Sequence, residues 1–271
     1  MERLSPLAPL ERSLIFHPAE YPQQLPAIPN MTVEDAWIES DGELLHGLFV
    51  PHPDPAGVAL FCHGNAGTVA DRIESLAVLN RRHNLAALVF DYQGYGKSTG
   101  KPTQRGILAD ARAARQWLAR KTKTPESDII LMGRSLGGAV AVDLASKDGA
   151  KGLVLASTFT SLPDVANHHF AWLPASLLMT HRLNSLAKIK DYHGPLLYSH
   201  GDQDEVIPID LGRELFDAAP GKKRFVSVPG GTHNSPMPEQ YRIEFQQFIS
   251  TLNNQATSTP NLRSDFSAVP N

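Results

Sequence analysis

The residue best placed to do chemistry is Ser135, which lies in the pentapeptide Gly133-Arg134-Ser135-Leu136-Gly137. A strand-like apolar segment, residues 128–132, precedes it, and a segment with helical spacing, residues 136–147, follows. A serine at so sharp a turn needs small residues two positions before and after it, because larger side chains would collide. The turn holds the hydroxyl at a helix N-terminus, where backbone N–H groups stabilise an oxyanion. The sequence therefore predicts that Ser135 is a nucleophile.

A second Gly-x-Ser-x-Gly pattern surrounds Ser98 and serves as an internal comparison. It follows a strand-like segment only after a loop, and Pro102 interrupts the residues that come next. We therefore interpret Ser98 as a loop serine. The same stretch does not predict a phosphate-binding loop, since Asp91 and Thr99 stand where the nucleotide-binding patterns require glycine.

An acid and a base follow Ser135 in the chain, each in a loop after a predicted strand. Residues 195–200 and 224–229 are typical of buried strands, and the second is followed by a glycine-rich loop that carries His233. His233 is predicted to take the proton from Ser135 and return it to the leaving group. Asp202, Asp204 and Glu205 are all candidates for the acid. We favour Asp204, because three loop residues after Gly201 carry it clear of the strand towards the histidine.

Two backbone N–H groups are expected to form an oxyanion hole. One belongs to Leu136, directly after the nucleophile, and the other to Asn65 in the loop after the predicted strand 58–62. Gly64 in that loop allows the backbone to come close to a substrate.

Together these motifs resemble the α/β-hydrolase superfamily, and within it the small-cap alpha/beta-hydrolase-domain serine hydrolases related to monoacylglycerol lipases and depalmitoylases. The resemblance covers about residues 33–252, and its Gly-x-x-Asp motif coincides with Asp204. It implies cleavage of carboxylic esters or thioesters through an acyl-enzyme intermediate on Ser135. Gln93 is a departure, since relatives often carry arginine there. Peptidase, lysophospholipase and non-enzymatic ligand-binding functions of the same fold remain open.

The elements that must position these residues alternate between strand-like and helix-like segments. This pattern predicts an α/β fold with a mainly parallel central sheet flanked by helices. The resemblance implies that it is the α/β-hydrolase fold. Residues 32–40 and 44–50 are predicted to form an opening hairpin through Asp41-Gly42. Helices are expected at residues 69–83, 104–121, 136–147, 209–218 and 239–252.

The composition is typical of one domain, which we place at residues 31–252. No cofactor is expected. The chain has 271 residues, 42% of them hydrophobic, and a net charge of −3, which does not favour nucleic acid as a partner. The lone Cys62 excludes an intrachain disulfide and suits a reducing, cytoplasmic compartment. No histidine or carboxylate spacing predicts a metal site. The expected partner is an acyl ester substrate; peripheral membrane contact and the oligomeric state stay open.

Three segments flank or interrupt this domain. Residues 1–30 form a proline-rich arm whose apolar run is too short for a signal peptide or a membrane span. Membrane association is the alternative location if an N-terminal anchor has been removed. Residues 253–271 are polar and predicted to be disordered.

Residues 158–194 are predicted to form a small cap over Ser135. Its apolar side chains either wall an acyl site for short or medium chains or pack onto the core: Phe170, Trp172, Leu173, Leu177, Leu178 and Met179.

Overall fold

An eight-stranded sheet forms the centre of the computed structural model, which describes residues 8–26, 28–170, 172 and 174–257. The order across this sheet is β10-β9-β8-β7-β4-β6-β3-β2; the six strands from β10 to β6 are parallel, and β3 is antiparallel to both its neighbours. The strands are β1 (His17–Pro18), β2 (Glu34–Ser40), β3 (Glu43–Val50), β4 (Gly57–Cys62), β5 (Ala66–Gly67), β6 (Leu85–Phe90), β7 (Ile129–Arg134), β8 (Gly152–Ala156), β9 (Leu196–Gly201) and β10 (Lys223–Val228). The short strands β1 and β5 pair separately.

Helices cover both faces of the sheet and divide the core into two layers. Side chains of α3, α4 and α8 pack on one face, and side chains of α2 and α9 pack on the other. The helices are α1 (Ala8–Ile15), α2 (Ile73–His83), α3 (Gln104–Thr122), α4 (Leu136–Asp148), α5 (Leu162–His169), α6 (Ala175–Leu178), α7 (Ser185–Lys188), α8 (Ile209–Ala218) and α9 (Glu239–Thr257). Apolar strands covered on both faces are what a parallel sheet requires. The predicted fold class is confirmed.

One strand and two helix boundaries differ from those expected. Strand β8 is absent from the sequence prediction, since a run of five residues without polar alternation does not by itself distinguish a strand from a helix. The helix predicted from residue 69 begins as a 3₁₀ turn, Val69–Arg72, since Thr68 and Asp71 form a capping box there, and α2 starts only at Ile73. Helix α9 continues past residue 252 to Thr257.

Contacts at Asn253 explain why the helix extends into the predicted tail. The Asn253 side chain donates to the Ala56 carbonyl (2.8 Å) and accepts from Lys151 Nζ (2.7 Å), which fixes this turn against the body of the protein. The remainder of the predicted tail, residues 258–271, lies outside the described residues. So do residues 1–7 and Ala27 of the predicted arm, whose described part includes α1 and β1.

Gln93, the departure from the family pattern, is held by a buried carboxylate. Its backbone N–H and its side-chain Nε2 each donate to Asp110 at 2.9 Å, and Ser40 Oγ donates to the same carboxylate at 2.7 Å. Burial is the main influence on Asp110 and raises its pKa to about 6, against the opposing effect of these hydrogen bonds.

Asp110 is therefore expected to make the fold less stable as pH rises. Its carboxyl binds a proton more tightly in the folded chain than in the unfolded chain, so its contribution falls between about pH 4 and pH 6. Urea unfolding of wild type and Asp110→Asn at several pH values measures this. The difference in free energy of unfolding, wild type minus variant, should decline by ~3 kcal/mol between pH 4 and pH 7, since two pKa units are worth about that much. Parallel curves for the two proteins would contradict the expectation.

Candidate active site

Ser135 lies in a strained turn between the central strand β7 and helix α4. Its φ of 53° and ψ of −123° belong to a region that residues with a side chain rarely adopt. The turn is fixed by the Ser135 N–H, which donates to the Ala156 carbonyl (3.0 Å), and by the Ser135 carbonyl, which accepts from Thr158 Oγ1 (2.8 Å). At Gly137 a Cβ atom would collide with the Cys62 carbonyl, so only glycine fits two residues after the serine.

Asp204 lies against His233, 29 positions further along the chain. Asp204 Oδ2 accepts from His233 Nδ1 at 2.8 Å, while Oδ1 accepts from the N–H groups of Val206 (3.0 Å) and Ile207 (2.8 Å). Burial works to raise the pKa of Asp204, but hydrogen bonds from His200, His233 and the Ile207 N–H outweigh it and hold this pKa well below its usual value. The carboxylate therefore stays ionised beside the imidazole.

The other two acids of this loop are placed differently. Asp202 Oδ1 accepts from the Gly230 N–H at 2.7 Å and so ties the acid loop to the histidine loop. Glu205 is exposed. Neither is hydrogen-bonded to His233 in the part of the chain that the structure describes.

His200, which the sequence analysis did not identify, supports the same carboxylate. This buried residue at the end of β9 places Nε2 3.3 Å from Asp204 Oδ2 and 2.9 Å from the Ile207 carbonyl. Because a carbonyl only accepts, Nε2 carries the proton. The signal available in the sequence is its position beside Gly201, at the start of the loop that carries the acid.

Arg134 connects the serine turn with the histidine loop. Its guanidinium donates to the backbone carbonyl of His233. Both loops follow the carboxyl ends of parallel strands, so they meet at one edge of the sheet. Within the described residues no hydrogen bond joins the Ser135 hydroxyl to the His233 ring. Catalytic hydrogen bonds are often long in ligand-free structures and shorten when substrate binds.

The loop after β4 places Asn65 beside the serine turn. The backbone N–H groups of Asn65 and Leu136 have no acceptor among the described residues, and a Cβ atom at Gly64 would lie 3.6 Å from Ser135 Cβ. His63 Nδ1 donates to the Gly64 carbonyl at 2.7 Å. That carbonyl shares a peptide plane with the Asn65 N–H, and the two point in opposite directions in a trans peptide. The histidine therefore fixes the direction of the Asn65 N–H.

Residues near the second Gly-x-Ser-x-Gly pattern form hydrogen bonds with the Asn65 loop. Tyr92 Oη donates to the His63 carbonyl (2.9 Å), and Tyr95 Oη donates to the Asn65 carbonyl (2.7 Å). Ser98 is buried, donates to the Asp91 carbonyl and accepts from the His46 N–H, both at 2.9 Å. These contacts agree with the interpretation of Ser98 as a loop serine.

The N-terminal segment, which the sequence analysis treated only as an arm, touches both the Asn65 loop and the predicted cap. The His17 N–H donates to the Asn65 carbonyl at 2.8 Å. The Glu11 carboxylate accepts from the Thr180 hydroxyl (2.6 Å) and the His181 N–H (2.7 Å). The composition of residues 1–30 does not predict these contacts, because each contact joins residues that are far apart in the sequence.

The predicted cap, residues 158–194, folds into helices α5, α6 and α7. Four of its apolar side chains are exposed, Phe170, Trp172, Leu177 and Leu178, so the interpretation that they pack onto the core is wrong. Met179 does pack against the core, and Leu173 lies outside the described residues. Trp172 is 82% exposed and so does not form a closed wall in this structure.

The described part of the chain contains neither a membrane-spanning helix nor a metal-binding cluster. None of its helices is long and apolar enough to cross a membrane. No group of three or more histidine, cysteine or acidic side chains there is arranged to hold a metal ion. Cys62 is buried, and burial raises the pKa of its thiol, as expected for a packing residue.

Comparison with known proteins supports the fold and the family. The sequence model of the serine aminopeptidase S33 family matches residues 53–191. An uncharacterized protein of Mycobacterium tuberculosis is 40% identical over 83% of this chain and 81% of its own length. The alpha/beta hydrolase domain-containing protein WAV2 of Arabidopsis thaliana is 34% identical, over 77% and 74% of the two chains.

A solved structure shows the same fold at low sequence identity. The Pyrococcus furiosus esterase Pf2001 superposes with a TM-score of 0.69 and 17% identity, covering 89% of this chain and 98% of that one. With the family match and the relatives, this likeness leads to one conclusion: the chain belongs to the α/β-hydrolase superfamily.

Proposed function

We propose that this protein is a serine hydrolase that cleaves carboxylic esters or thioesters through Ser135, His233 and Asp204. The observation that carries the proposal is the buried Asp204–His233 pair, tied through Arg134 to the strained turn that presents Ser135. A carboxylate bound to Nδ1 keeps the proton on that nitrogen and leaves Nε2 free to accept the serine proton.

The reaction follows from these positions. Ser135 Oγ attacks the acyl carbon, and His233 Nε2 takes the hydroxyl proton and passes it to the leaving alcohol or thiol. The acyl group stays on Ser135 until His233 removes a proton from water, which attacks the same carbon. His233 then returns this proton to Ser135 Oγ as the bond between that oxygen and the acyl carbon breaks and the carboxylic acid leaves. The Asn65 and Leu136 N–H groups stabilise the oxyanion formed in both steps.

Hydrolysis of p-nitrophenyl esters, from acetate to palmitate, tests the proposal. Turnover is expected to peak at a short or medium acyl chain, because the small cap leaves its apolar side chains exposed instead of closing a tunnel. A fluorophosphonate probe should label the wild type, and labelling should persist in Ser98→Ala, the matched serine of the second motif. Turnover or labelling that depends on Ser98 and not on Ser135 would contradict the assignment.

The family description supports one alternative, an aminopeptidase that acts through the same residues. Amino-acyl p-nitroanilides, measured beside the esters, separate the two. A kcat/KM for the anilides that exceeds that for every ester would favour the peptidase. A labelled protein without turnover of either substrate class would favour the ligand-binding alternative.

His63 is expected to act as a positioning residue for the oxyanion donor. His63→Phe keeps an aromatic ring against Tyr92 and Tyr95 but removes the donor to the Gly64 carbonyl, so the Asn65 N–H loses its fixed direction. We expect kcat to fall about 100-fold with little change in KM, as for removal of one oxyanion donor.

Tyr95→Phe is the matched control for this change. It removes a hydrogen bond to the Asn65 carbonyl, which belongs to the following peptide plane and does not set the direction of the Asn65 N–H. We expect it to lower kcat less than about 10-fold, in line with the loss of one supporting hydrogen bond. Equal losses in the two variants, or a loss in KM alone, would contradict the role given to His63.

A further inference from the structure

A cavity of about 420 Å³ lies on the face of the sheet that α2 and α9 cover, next to the candidate active site. Its walls are mainly apolar side chains of both helices and of the strands between them, including Phe61, Val78, Met132 and Phe245. Ser135 and His233 do not line it. Its size falls within the range of small-molecule sites, roughly 300–1,000 Å³.

A guanidinium without an ion-pair partner forms part of the wall. Arg134 lines the cavity and is half-buried. Its guanidinium donates to the His233 carbonyl, and in the described part of the chain no carboxylate lies within 4.0 Å of it. Burial lowers its pKa, and repulsion by Arg72 adds to this; Asp204 offsets only part of the effect. A guanidinium nevertheless remains charged in proteins. A partly buried cation without a counter-ion favours binding of an anion.

The neighbouring arginine strengthens the positive field. Arg72 donates to the Ala66 carbonyl at 2.8 Å, and its Nε is buried without a hydrogen-bond partner. The other charged side chains of the lining do not cancel this field. Arg242 is paired with Glu239 at 2.6 Å, and Glu74 is exposed, where water screens it.

We propose that this cavity binds an alkyl carboxylate, with its head group at Arg134 and its chain along the apolar walls. A carboxylate matches the planar guanidinium with two parallel hydrogen bonds, which a neutral head group cannot make. The apolar lining supplies the free energy of burying the chain. The site is separate from the acyl position on Ser135 and does not depend on the proposed hydrolase activity.

Calorimetric titration of the full-length protein with decanoate tests this site. Acetate, which lacks the long alkyl chain, and 1-decanol, which lacks the charge, are the comparison ligands. Decanoate should bind one to one, and both comparison ligands should bind at least tenfold more weakly. Arg134→Gln should weaken decanoate binding tenfold or more, as expected for loss of a charged hydrogen-bond partner. Thermal melting checks that this variant is folded.

A second pair of variants does not touch Arg134. Val78 is 40% exposed at the cavity, and Ile243 is 52% exposed on α9 outside it. Val78→Asp should weaken decanoate binding at least tenfold, because the new charge repels the carboxylate and opposes burial of the chain. Ile243→Asp, the matched control, should leave it unchanged.

Fluorophosphonate treatment and the variants together decide the proposal. Decanoate binding that survives labelling of Ser135 supports a separate site. Binding that labelling abolishes and Val78→Asp leaves intact would place the carboxylate in the acyl site and overturn the proposal, as would absence of binding. Titration of Val78→Asp and Ile243→Asp needs neither turnover nor labelling, so its result is independent of whether the protein hydrolyses esters.

Discussion

Ser135→Ala is expected to lower kcat/KM for p-nitrophenyl butyrate by about 10⁴-fold or more. Loss of the nucleophile removes the acyl-enzyme route, and what remains comes from the oxyanion donors and from substrate binding. The backbone of the turn does not depend on the hydroxyl, since Ser135 is held through its N–H and its carbonyl. The variant should therefore fold and melt close to the wild type. Steady-state kinetics at equal concentrations of folded protein measures the loss.

Two other variants, one in the Ser98 loop and one in the Ser135 turn, separate chemistry from folding. Ser98→Ala should keep wild-type kcat/KM within about 3-fold while losing ~1 kcal/mol of stability, because two buried hydrogen bonds disappear. Ser135→Gly should be as inactive as Ser135→Ala but more stable than it by ~1 kcal/mol, since glycine adopts the left-handed φ of 53° without strain. An active Ser135→Ala protein would end the serine hydrolase proposal.

Asp204→Asn is expected to lower kcat by about 10⁴-fold, through the wrong histidine tautomer. The N–H groups of Val206 and Ile207 bind Oδ1, so the amide oxygen of asparagine occupies that position. The amide NH₂ of asparagine then faces His233 Nδ1. Both groups are hydrogen-bond donors when the proton is on Nδ1, so they cannot bond to each other in that tautomer. His233 responds by carrying its proton on Nε2, which removes the acceptor for the Ser135 hydroxyl.

Asp202→Asn is the matched control for the acid. Its carboxylate accepts from the Gly230 N–H, an interaction that an amide oxygen preserves. We expect kcat within about 3-fold of wild type, because His233 keeps its carboxylate partner. The measurement is kcat with p-nitrophenyl butyrate. A comparable loss of kcat in the two variants would show that catalysis depends on the structure of the loop and not on the Asp204 carboxylate.

Much of the architecture was predictable from local features of the sequence. Glycines two positions from Ser135, the alternation of strand and helix segments, and the loops that carry His233 and Asp204 all follow from short stretches of chain. Strand β8 escaped prediction, because its five residues are buried and have no polar alternation to set a period. Its carbonyl at Ala156 nevertheless fixes the Ser135 turn.

The sequence by itself therefore determined the fold class, the order of most elements and the candidate residues, since local backbone preference and burial set these. Only the tertiary structure decided which polar groups meet. The Glu11 carboxylate reaches Thr180 across 169 positions, and Arg134 reaches the His233 carbonyl across 99. Asp202 gains the Gly230 N–H in the same way, across 28 positions, through the packing of loops at one sheet edge. Such contacts depend on how the whole chain packs, and no window of sequence contains both members of the pair.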